Sequence, residues 1–133
     1  MEKIDGTNGA IFYAAGVLYY FTKEQVKNLT VEMAEKFPGG RLVFDTVGKF
    51  GRDVLMKGTL KNMGMNDVSG LFCVEDPADL MGWSPKVRLA TRKSYMQGYY
   101  SLDDPNIKGI HRFLAGLCDR LAKMYINRME FEE

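Results

Sequence analysis

AIFYAAGVLYYFTKEQVKNLTVEMAEKFPGGRLVFD, residues Ala10 to Asp45, decides the fold. It contains an apolar run, a glycine, a capped amphipathic helix, a Pro-Gly-Gly stop and a second apolar run ending in aspartate, the pattern of a parallel β-α-β unit. Ala10 to Ala15 is apolar at every position. A strand covered by helices on both faces needs that pattern, so the run predicts a central strand. Thr22 and Gln25 form a capping box, with Phe21 and Val26 at the positions of a hydrophobic staple. Val26, Leu29, Met33 and Phe37 recur at helical spacing and predict the buried stripe. Pro38, Gly39 and Gly40 stop the helix, and Arg41 to Asp45 resumes as a strand. Such a unit has a right-handed crossover in nearly all cases, which puts the C-terminal ends of both strands, at Gly16 and at Asp45 to Gly48, on one edge of the sheet. Ligands of open α/β sheets bind at that edge.

Working outward, Thr46 to Gly51 predicts a loop and Arg52 to Met63 a helix with Val54, Leu55, Met56 and Leu60 inward, weakened by Gly58. Gly64 to Gly70 is turn chemistry. Leu71 to Val74 is a short apolar run, after which Asp76, Pro77 and Asp79 start a brief helix that Gly82 ends. Lys86 to Tyr95 alternates Val87, Leu89 and Thr91 with Lys86, Arg88 and Arg92, a half-exposed strand. Gln97 to Asp104 predicts a loop. Asn106 is placed to cap a helix whose stripe of Ile107, Ile110, Leu114, Leu117, Leu121 and Met124 is expected to pack on the sheet. Tyr125 to Phe131 closes the chain as a strand, with Tyr125, Asn127, Met129 and Phe131 on one face. Met1 to Gly9 is a polar lead-in. The fold class is thus α/β, a single domain over residues 1–133 with four or five strands.

A formal net charge of +1 gives no electrostatic reason to expect nucleic acid or an anionic membrane as partner. The longest apolar run, Ala10 to Phe21, is too short to span a bilayer, and a cytoplasmic location is the expectation. Cys73 and Cys118 have no CxxC partner and only His111 as an imidazole, so no zinc site is expected. They read as small buried hydrophobes, with a disulfide between them left open.

AAGVLYYF, FPGGRLVFD, DPADLMGW, KVRLATRKSY and YINRMEF, in this order and spacing, resemble the S-adenosylmethionine-dependent O-methyltransferases grouped with leucine carboxyl methyltransferase and the tetracenomycin-type polyketide-synthesis enzymes. The resemblance implies the C-terminal half of a Rossmann-like class I methyltransferase sheet, mixed and mostly parallel with helices packed on it, and places the final strand antiparallel inside the sheet. The half carrying the glycine-rich cofactor turn has no counterpart: Gly6, Gly9 and Gly16 lack its spacing. Ala15 stands where family members often carry a cofactor-binding glutamate. The resemblance therefore implies S-adenosylmethionine contacts through the backbone of Ala14, Ala15, Gly16 and Val17, with Tyr19, Tyr20 and Asp45 facing a small-molecule substrate. It names no catalytic base, and methyl transfer needs little beyond proximity and alignment. It also implies a partner: either a complementing N-terminal half, or a second copy paired through the Ala10 to Ala15 strand, whose family neighbour is missing.

Each residue has a plainer reading. Gly16 serves either close ligand approach or the turn itself. Tyr19 and Tyr20 wall a pocket or fill the core. Asp45 reaches substrate or caps its loop. Trp83 is a lid residue or a packing anchor, and the anchor is favoured. His111 reads as a partly buried structural histidine, and Lys86, Arg88, Arg92 and Lys93 as a solvated strand face.

Overall fold

A computed structural model describes residues 9–64 and 67–133, apart from the side chains of residues 55, 56 and 100. The rest of the lead-in, and Asn66 of the predicted turn, lie outside the described residues. β1 (Ile11–Ala14), β2 (Arg41–Thr46), β3 (Val87–Ser94) and β4 (Tyr125–Phe131) form one sheet in the order β1-β2-β4-β3. β1 and β2 are parallel, whereas β4 runs antiparallel to both of its neighbours. The last strand therefore lies inside the sheet. The sheet is mixed: one of its pairings is parallel and the other two are antiparallel.

The crossover helix α1 (Lys23–Lys36) starts where local chemistry dictates. Thr22 Oγ1 accepts from Gln25 N at 3.2 Å and Gln25 Oε1 accepts from Thr22 N at 2.9 Å, a complete capping box. At its end Phe37 caps the last turn and Gly39 takes a positive φ of 73°. The helix buries Val26, Thr30 and Ala34, with Phe37 beyond it, while Leu29 is turned toward solvent. Its core partners are Leu42 and Phe44 of β2, Met129 and Phe131 of β4, Val87 of β3, and Phe72, Val74, Leu80 and Trp83.

Those last four come from the segment between β2 and β3. Phe72 N donates to Phe21 O and Val74 N to Val47 O, so this apolar run docks beside the sheet without joining it. A second capping box, Asp76 with Asp79, starts a 3-10 turn over Pro77–Leu80. Trp83 then packs on Phe72 at a centroid distance of 6.3 Å and donates Nε1–H to Asp79 O at 3.0 Å. It is a packing anchor, as favoured. The helical segment α2 (residues 49–62) runs Lys49–Gly51 as α, Arg52–Met56 as π and Lys57–Asn62 as α again, so it starts inside the predicted loop. Arg52, 5% exposed, ties it to the Ser69 and Leu71 carbonyls at 3.0 and 3.2 Å. Leu60 is fully buried whereas Val54 is exposed.

The other sheet face is largely open, and several expectations fail there or nearby. β1 is an edge strand, not a doubly covered central one: Ile11 and Tyr13 are 60% and 76% exposed. A bulge between Leu89 and Thr91 swaps the alternation of β3, sending Thr91 to the open face and Arg92 inward against Asn127. The apolar stripe of α3 (Gly109–Ala122) faces water, with Ile110, Leu114, Leu117 and Leu121 exposed while Ala115, Asp119 and Ala122 are buried. Lys108, not Asn106, occupies its N-cap. His111 and Cys118 on this helix are exposed, contrary to their core readings, and both cysteines are free thiols. A short helical turn, Gln97–Tyr100, stands in the predicted loop before α3.

Candidate functional site

Gly16 ends β1 with φ at 65°, and a Cβ built there would meet no atom within 4 Å. The backbone turn, rather than crowding, demands glycine at this position. Its N–H donates to Asp45 Oδ1 at 2.8 Å. After one residue the chain enters a 3-10 turn over Leu18–Tyr20, and this turn carries the Tyr19 hydroxyl to Asp45 Oδ2, to which it donates a short hydrogen bond. Three of the residues expected at the ligand edge thus meet: Gly16, Tyr19 and Asp45. The remaining four, Ala14, Ala15, Val17 and Tyr20, flank the same turn. Ala15 and Val17 are exposed, and Ala14 and Tyr20 half-buried.

Asp45 therefore clamps the end of β1 to the end of β2, with both carboxylate oxygens engaged within the chain. Asp45 thus holds the turn after β1, rather than capping the loop that follows β2. Tyr19 is only 6% exposed, so it belongs to the core as well as to the edge. Burial foremost, and then the neighbouring Asp45 carboxylate, hold its phenol well above the ordinary tyrosine range. The hydroxyl is a fixed donor at neutral pH, unsuited to act as a base.

Behind this clamp runs a polar chain that the sequence did not announce. Thr46 Oγ1 accepts from Asn127 Nδ2 at 2.9 Å, and Asn127 Oδ1 accepts from Arg92 Nη1 at 2.9 Å. The Arg92 guanidinium lies 4.0 Å from the centre of the Tyr125 ring. Asn127 and Thr46 are both essentially inaccessible, so each needs the other to satisfy its polar atoms. The one signal in the sequence was Asn127, a polar residue on the otherwise apolar face of the last strand. Arg92 was hidden by the bulge.

On the open face a groove of about 560 Å³ adjoins the clamp, lined by residues that include Val43, Thr91, Lys93, Tyr95, Ile126 and Arg128. Ile126 is the ladder partner of Asp45. Cys73 is not a nucleophile candidate, since burial raises its thiol pKa despite the nearby Arg52. Among the described residues no group of three or more His, Cys, Asp or Glu side chains is placed to hold a metal ion, and no helix is long and apolar enough to cross a membrane. Compared with family models, with curated proteins and with solved structures, the chain finds no match.

Proposed function

We propose that this chain is the C-terminal portion of an S-adenosylmethionine-dependent O-methyltransferase, inactive alone, that transfers methyl to a small molecule or a carboxylate once a glycine-rich half completes it. The observation that carries this reading is the strand order β1-β2-β4-β3, with the closing strand antiparallel between β2 and β3. That is the placement expected of the C-terminal half of a Rossmann-like class I methyltransferase sheet. The convergence of Gly16, Tyr19 and Asp45 at the C-terminal ends of the parallel strands supports it, since ligands of such sheets bind there. In this reading the backbone of Ala14 to Val17 meets the cofactor. Asp45, already holding the Gly16 amide and the Tyr19 hydroxyl, shapes the turn and performs no proton transfer. Calorimetric titration with S-adenosylhomocysteine, first with the chain alone and then with a family N-terminal half in trans, tests the proposal. One-to-one binding in the second titration is expected. No heat in either sinks the enzyme reading.

The free edge of β1 favours a second reading, a non-catalytic pairing module. Among the described residues Ile11 and Tyr13 stand exposed on a strand hydrogen-bonded on one side only, which is an association hazard. A homodimer joined through the edge strand of Ala10 to Ala15 covers that edge without cofactor. A monodisperse monomer in light scattering at high concentration would contradict it.

A further inference from the structure

Asp119 is buried on α3, at 4% exposure, and the chain uses only half of its carboxylate. Oδ2 accepts from Met96 N at 2.9 Å, whereas Oδ1 is buried with no hydrogen-bond partner among the described residues. Buried carboxylate oxygens are rarely left this way, because the lost hydration goes uncompensated. Asp119 lines a cavity of about 400 Å³ between α3 and the adjoining ends of β3 and β4, within the range of small-ligand pockets. Phe113, Leu117 and Tyr125 give that cavity apolar walls, and Arg112 and Arg120 contribute charge.

We propose that this cavity binds a small α-amino acid with an apolar side chain, its ammonium on Asp119 and its carboxylate at Arg120. The distribution of charge selects this class. Burial pushes the Asp119 carboxyl above the ordinary range, against the Met96 amide bond that lowers it, and Arg112 and Arg120 line the same cavity. The lining of one space thus carries both signs of charge. A simple cation would face the arginines, a simple anion would face the buried carboxylate, and a neutral apolar molecule would leave Oδ1 unmet. A zwitterion satisfies both ends. Arg112 already donates to the Asp104 carbonyl at 3.2 Å, while Arg120 is in no ion pair among the described residues. The ligand's side chain then covers Phe113 and Leu117, which otherwise stand in water. The cavity shares no residue with the Gly16, Tyr19 and Asp45 clamp, so it stands or falls independently of methyl transfer.

The test is an NMR titration of the full chain with L-phenylalanine, N-acetylphenylalanine and phenylalanine methyl ester. Saturable shifts at residues lining the cavity are expected with the free amino acid. Blocking either charged end is expected to weaken binding by roughly tenfold or more. Arg120→Gln, at an exposed position, is expected to weaken the free amino acid and to leave the methyl ester unchanged. Asp119→Asn keeps an acceptor for the Met96 amide but turns a donor toward the ammonium, and is expected to abolish the preference for the free amine. The proposal is overturned if the free amino acid gives no saturable shifts, if the N-acetyl form binds equally well, or if Arg120→Gln changes nothing. If Asp119→Asn fails to fold, the two blocked ligands and Arg120→Gln still decide.

Discussion

α1 and α3 are each 14 residues long and amphipathic, yet one turns its apolar side chains to the core and the other to water. The connections explain the difference. α1 joins two parallel neighbours, so it must cross over the sheet, and its face meets Leu42, Phe44, Met129 and Phe131. α3 joins β3 to β4, antiparallel neighbours that need no crossover. It leans instead on the start of α2 and on residue 96, through Ala122 and Asp119. That contact is close: the Gly48 amide donates to Ala122 O at 2.8 Å, and a Cβ on Gly51 would lie 2.7 Å from the same oxygen. Periodicity marks which side of a helix is apolar. Topology decides whether that side is covered.

The comparison breaks first if the face under α1 is not the stabilising one. Phe44 is 2% exposed at its centre, and Phe44→Ala is expected to cost about 3–5 kcal/mol in urea denaturation. Tyr19→Phe comes next. It removes a buried donor from a carboxylate, an expected loss of about 1.5–3 kcal/mol. Its pH signature has a definite sign. The folded phenol titrates above its ordinary value of 10.0, so the unfolded chain releases this proton first and the stabilisation is lost as pH rises past that value. Stability against pH between neutral and strongly alkaline solution should fall less steeply in the Tyr19→Phe variant than in the native chain. Equal slopes would mean that Tyr19 titrates normally.

Helix caps sharpen the contrast at a smaller scale. Thr22→Ala is expected to cost about 1 kcal/mol, because it opens the capping box of α1. The N-cap of α3, Lys108, makes no side-chain hydrogen bond, so Lys108→Ala is expected to change stability by less than about 0.5 kcal/mol. Thermal melts of the two variants measure both.

What the sequence made legible was local or set by chain direction. The capping box at Thr22 and the helix start at Asp76 depend on residues at most three apart; the first formed as read, and the second start proved to be a capping box as well. The end of β1 at Gly16 and of β2 near Asp45 followed from the β-α-β unit, which is why the candidate site was found at its turn. What stayed hidden depends on pairing between distant strands. One extra residue in β3 moved Arg92 from the solvated face to Asn127, and nothing in the alternation of Lys86 to Tyr95 marks that shift. Likewise no periodic count distinguishes the outward Leu114 of α3 from the buried Val26 of α1.

Leu121 measures the smallest effect and bears most directly on the contrast between the helices. It is 56% exposed and absent from the lining of the cavity beside α3, so Leu121→Gln removes little buried area and changes helix propensity hardly at all. The expected change is within about 0.5 kcal/mol of the native chain, independent of protein concentration. A loss several times larger means that another surface covers α3 in solution, and a concentration-dependent loss identifies that surface as a second copy of the chain. Either result would place α3 with α1 as a helix whose apolar side is buried. The distinction would then lie in what covers each face: the chain's own sheet for α1, another molecule for α3.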